Sequence, residues 1–165
     1  MEKLCTEKYT KHASCAKDSQ LKNLFTQIAQ VEQGHLDTLT QIESGTVPQP
    51  GGGSQSQSSS QSQSSSQSQS QSSSQSQSSS QSQSQLKEPS FQETYSVSDN
   101  ADKQADAYLC TDLLAAEKHT SHGYDVCVFE FRDDNVRNTL NHIQKEEQEH
   151  GKMIYDYMEK NHMYS

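Results

Sequence analysis

Apolar positions along the chain fall into runs at helical spacing. Leu21, Leu24, Phe25, Ile28, Val31, Leu39 and Ile42 recur three and four residues apart, the mark of one buried helix face. They predict a helix over 19–43. Residues 1–17 read as a helix before it. "KDSQ" at 17–20 separates the two, and Asp18 or Ser19 is suited to cap the second by accepting from its free backbone N–H groups. Gly45, then Pro48 and Pro50, stop that helix. A third helix opens near residue 100, with a stripe of Leu109, Leu113, Leu114, Tyr124, Val128 and Phe131. "RDDN" at 132–135 is the next break. The fourth helix carries Val136, Leu140, Ile143, Ile154, Tyr157 and Met158 to about residue 160. Such helices must bury their stripes against one another. The pattern predicts an all-α protein, a four-helix bundle made of two helical hairpins.

Between the hairpins the pattern vanishes. Every residue from Ser54 to Gln85 is Ser or Gln, so the tract has nothing apolar to bury against its ordering entropy. The expected organisation is a first hairpin at 1–45, a disordered linker at 46–100 and a second hairpin at 101–165, the hairpins forming one domain. The tract reads either as a neutral repeat expansion or as a Gln-rich donor for crosslinking and self-association. Net charge is −9 without a basic run, which argues against a nucleic acid partner. No run is long and apolar enough for a membrane span, and the start, "MEKLCTEKYTKH", is charged and unlike a signal peptide. Cys5, Cys15, Cys110 and Cys127 lack CxxC spacing and read as thiols of a reducing compartment.

The hairpins also repeat one another. With residue n beside residue n+115, Glu2 falls on Glu117, Tyr9 on Tyr124, Asp18 on Asp133, Ile28 on Ile143, Glu32 on Glu147 and His35 on His150. Glu32 and His35 are three apart and share a helix face, as do Glu147 and His150. Each pair interrupts an apolar stripe, and an unpaired carboxylate there is costly. Counting back across each turn puts Glu2 level with Glu32, and Glu117 level with Glu147. Glu7, the rival to Glu2, shares its face with Lys3, Lys11 and Ser14 and reads as solvent-facing. Four carboxylates and two imidazoles at one level of a bundle form the arrangement that binds two iron or manganese ions. The candidate ligands are Glu2, Glu32, His35, Glu117, Glu147 and His150. The competing reading is a set of polar residues left by duplication and paired as buried hydrogen bonds. Tyr9 and Tyr124 read as core, and His12, His119, His122, His142 and His162 as surface.

The stretch "VFEFRDDNVRNTLNHIQKEEQEHGKMIYDYMEKNHMY", with "LLAAEKH" upstream, resembles the spore coat protein F family of endospore-forming bacteria. The resemblance covers about 105–164 and extends to 1–45 as the partner hairpin. It implies a ferritin-like helical fold and a structural coat component. It further implies synthesis in the mother-cell cytoplasm, assembly in the spore coat, and other coat proteins as partners. It assigns no catalytic activity. Ferritin-like relatives with all six ligands bind two iron or manganese ions, so a di-iron or di-manganese oxidase, peroxidase or catalase-like enzyme is the alternative function. Neither oligomeric state nor metal identity is legible, and a homo-oligomer is compatible with both readings.

Overall fold

The computed structural model describes residues 1–48 and 89–164. The Ser/Gln tract lies outside the described residues. Helices α1 (Glu2–Cys15), α2 (Ser19–Glu43), α3 (Ala101–Cys127) and α4 (Asp134–Lys160) form the bundle, with one 3-10 turn at Val128–Glu130. No strand occurs among the described residues. The protein is all-α, with α1 packed mainly on α2 and α3 mainly on α4.

The two turns are built alike. Asp18 caps α2, its side chain accepting from the Gln20 N–H at 2.9 Å. Its equivalent at the 115-residue offset, Asp133, caps α4 by accepting from Asn135 and Val136. Gly45 ends α2 with φ +86°, a left-handed conformation that glycine adopts freely. The third helix stops at Cys127, short of the expected break at 132–135. Its last stretch tightens into the 3-10 turn, and Phe131 follows in extended backbone, half-buried against the end of the bundle.

The core is two apolar clusters. One is built around Tyr9, Leu21, Phe25, Ile28, Leu113, Ile154 and Tyr157; the other around Tyr124, Val136, Leu140 and Ile143. Full burial of each large apolar side chain is worth about 1.5–3 kcal/mol. On α2 the chain passes from Ile28 through Glu32 and His35 to Leu39. On α4 it passes from Ile143 through Glu147 and His150 to Ile154. The polar band therefore separates the two clusters.

The expected linker ran to residue 100, yet 89–100 lies against the bundle. Phe91 stacks edge-on against Tyr157, with ring centroids 5.3 Å apart. The Thr94 and Tyr95 N–H groups donate to Asn161 Oδ1 at 2.8 and 3.0 Å. Tyr95 Oη donates to Asp106 Oδ2 at 2.8 Å. Asp106, fully buried, also accepts from the backbone N–H groups of Lys17 and Asp18 at 2.8 and 2.9 Å. One carboxylate thus ties the α1–α2 turn, the start of α3 and the incoming segment together.

Candidate metal centre

The four helices bring all six expected residues to one level. Glu2 comes from α1, Glu32 and His35 from α2, Glu117 from α3, and Glu147 and His150 from α4. None is more than 5% exposed, whereas Glu7 is exposed. They form two overlapping clusters, Glu2–Glu32–His35–Glu147 and Glu32–Glu117–Glu147–His150. In each, one ligand atom per residue lies within 4.8 Å of the others. Glu32 and Glu147 belong to both.

The donor atoms are distinctive. Among the described residues, the buried side-chain nitrogen and oxygen atoms without a hydrogen-bond partner are Glu2 Oε2, both Glu32 oxygens, His35 Nδ1, Glu117 Oε2, both Glu147 oxygens and His150 Nδ1. All belong to the six residues. Two ion-pair distances run close to this: His35 Nδ1 is 3.0 Å from Glu147 Oε1, and His150 Nδ1 is 2.9 Å from Glu32 Oε1. Those contacts are short but lack hydrogen-bond direction, so the atoms converge on shared space. Buried polar groups left unpaired are costly and rare in folded proteins. A cation between them removes that cost, and carboxylate with imidazole suits iron and manganese. The residues therefore fit a pair of divalent ions.

The other oxygens of Glu2 and Glu117 are engaged. Tyr124 Oη donates to Glu2 Oε1, and Tyr9 Oη donates to Glu117 Oε1. The tyrosines expected as plain core residues are buried, but each also orients a carboxylate on the opposite hairpin. The available signal was Glu followed seven residues later by Tyr, repeated at the same offset. Cys5 and Thr120, equivalents at that offset, touch each other where α1 crosses α3, Sγ to Oγ1 at 3.3 Å.

The repeat breaks beside His35. His35 Nε2 lies 2.9 Å from Glu146 Oε2. The equivalent of Glu146 on α2 is Val31, so the repeat offers no second such carboxylate. A carboxylate on the far nitrogen of a ligating histidine fixes its ring and raises its basicity. Glu146 is not legible in the sequence because it has no counterpart at the repeat offset.

The electrostatics follow from burial. Burial, with Glu147 nearby, pushes Glu2 up to about 8 and Glu32 up to about 7. Burial and Glu147 also hold Glu117 well above the usual carboxylate range. Burial lowers His150 to about 4. At His35 burial acts the same way, but the hydrogen bond to Glu146 and the adjacent Glu147 carboxylate outweigh it and raise the ring to about 10. Burial lifts the Cys5 thiol to about 12.

A pocket of about 360 Å³ opens on the α3–α4 face and reaches Glu117 and Glu147. All four cysteines are free thiols. Of the histidines expected at the surface, His12 and His142 are half-buried, His12 pairing with Asp112 at 2.8 Å and His142 lying 3.5 Å from Glu146.

Comparison with known families gives one match. Residues 105–165 match the Coat F domain. The expected resemblance to the spore coat protein F family thus holds over most of α3 and all of α4. The Coat F hairpin supplies Glu117, Glu147 and His150; the first hairpin lies outside the match. No curated protein and no solved structure matches the chain significantly. No described helix is long and apolar enough to cross a membrane.

Proposed function

We propose that the protein is a structural component of the spore coat whose ferritin-like bundle holds two divalent ions, iron or manganese. The Coat F match supports the coat assignment, with other coat proteins as partners and synthesis in the mother cell. The metal assignment rests on the unpartnered donor atoms. Glu2 and His35 would serve one ion, Glu117 and His150 the other, and Glu32 and Glu147 would offer an oxygen to each. Four carboxylates balance the charge of two such ions. Bound there, the ions supply redox and Lewis-acid chemistry. The chain's own residues hold and orient: Tyr9 and Tyr124 fix the outer carboxylates, and Glu146 fixes His35. A protective oxidase, peroxidase or catalase-like activity is the second reading, favoured by the pocket that reaches Glu117 and Glu147.

Metal content per chain, after growth with iron and manganese, tests the centre. The expectation is about two equivalents in the wild type, lost in a Glu32→Ala, Glu147→Ala double variant. A wild type that stays metal-free after reconstitution, with its helical fold intact, refutes the centre. Fractionation of mature spores tests the coat assignment separately, and absence of the protein from the coat fraction refutes it.

A further inference from the structure

A single residue on α4 shapes the α3–α4 pocket. Gly151 lines it, together with Leu114 and the two carboxylates Glu117 and Glu147. Glycine inside a helix costs about 1 kcal/mol relative to alanine. Gly151 sits well inside α4 and does not take a positive φ, so the backbone does not require it there. A Cβ at this position would stand 3.5 Å from Leu114 Cδ1 and 3.8 Å from Glu117 Cβ, both ordinary contacts, so alanine fits and only a longer side chain would project into the pocket. The equivalent position on the first hairpin carries Leu36, half-buried. At the pocket mouth are His122 and Asp125, exposed and 3.9 Å apart, with Lys118 the cationic side chain on the wall. Glu117 and Glu147 line its inner end, 2% and 0% exposed, and their unpartnered oxygens lie buried behind it.

We infer that this pocket is the loading route by which a divalent cation reaches the centre, and that Gly151 keeps it open. The inference rests on the metal reading above. The cation meets the Asp125 carboxylate and His122 imidazole at the mouth and passes the Gly151 gap. It arrives first at the ligand set of Glu117, Glu147 and His150. Loading is therefore sequential, and the cluster with Glu2 and His35 fills second. The Asp125 carboxylate at the mouth raises local cation concentration and on-rate.

The test measures uptake of Mn(II) by metal-free full-length protein, followed by loss of the free-ion paramagnetic resonance signal, with final stoichiometry measured separately. Gly151→Leu is expected to slow uptake on the order of tenfold or more while leaving the final metal content unchanged. Gly151→Ala, whose Cβ makes only ordinary contacts, is expected to load like the wild type. Asp125→Asn is a surface change that leaves the fold intact should the leucine variant not fold. It is expected to slow uptake severalfold and flatten its salt dependence. Uptake at the wild-type rate in Gly151→Leu, or in Asp125→Asn where the former does not fold, overturns the route while the centre stands. A wild type that binds no Mn(II) at equilibrium overturns both.

Discussion

Buried carboxylates that must ionise make the metal-free protein sensitive to alkali. Glu2 and Glu32 move from 4.5 to about 8 and about 7 on folding, chiefly through burial. A carboxyl raised in this way contributes stability that is fully present below 4.5 and is lost as pH rises through its folded value. His35, raised from 6.5 to about 10, acts in the same direction. His150 is lowered to about 4, so its contribution is present above 6.5 and is lost only on acidification. Between about pH 6 and 8 Glu2 loses about 2 kcal/mol and Glu32 about 1, at roughly 1.4 kcal/mol per pH unit. That is a large share of a typical total of about 5–15 kcal/mol. At about 2–4 °C per kcal/mol, Tm in chelator should fall by about 10 °C across this range. Metal binding displaces the protons, so Tm with excess Mn(II) should hold or rise, and the gap between the two should widen with pH. Differential scanning fluorimetry reads both curves. A chelated protein whose Tm is flat or rising from pH 6 to 8 would refute the reasoning, as would a Mn(II) shift equally large in the Glu32→Ala, Glu147→Ala variant.

Three further outcomes are expected. Asp106→Ala strands two backbone N–H groups and the Tyr95 hydroxyl and should cost about 3 kcal/mol or more by urea denaturation. Tyr9→Phe removes the donor to Glu117 and should weaken metal affinity by about 10–100-fold in a competitive titration while the bundle stays folded. Asn161→Ala frees the Thr94 and Tyr95 amides, which should exchange hydrogen much faster while α2 and α4 stay protected.

The helices were legible because each buries one stripe, and periodicity reports that directly. The α2 cap was legible as Asp18 or Ser19, and Asp133 stood opposite Asp18 in the repeat, because a cap acts within two or three residues of itself. The six candidate ligands stood out because they break the stripes at a repeated offset. Asp106 did not, because its partners lie on a turn and a segment far away in sequence. Periodicity says nothing about which turn a buried carboxylate will meet. The docking of 89–100 was hidden likewise: its anchors, Asn161 and Tyr157, are distant in the chain. Tyr9 and Tyr124 looked like core because a tyrosine ring and its hydroxyl leave the same mark on a hydrophobic pattern.

Each cluster draws three residues from one hairpin and one from the other: Glu2, Glu32 and His35 with Glu147, and Glu117, Glu147 and His150 with Glu32. Neither hairpin alone supplies all four residues of a cluster. An ion held there acts as a cross-link between the halves, and the Cys5–Thr120 contact marks the seam where they meet. Two separately expressed hairpins would thus behave as complementing fragments, with cation concentration setting how tightly they reassemble. Because the repeat supplies the same lone carboxylate from either side, a hairpin meeting a second copy of itself presents the matching half.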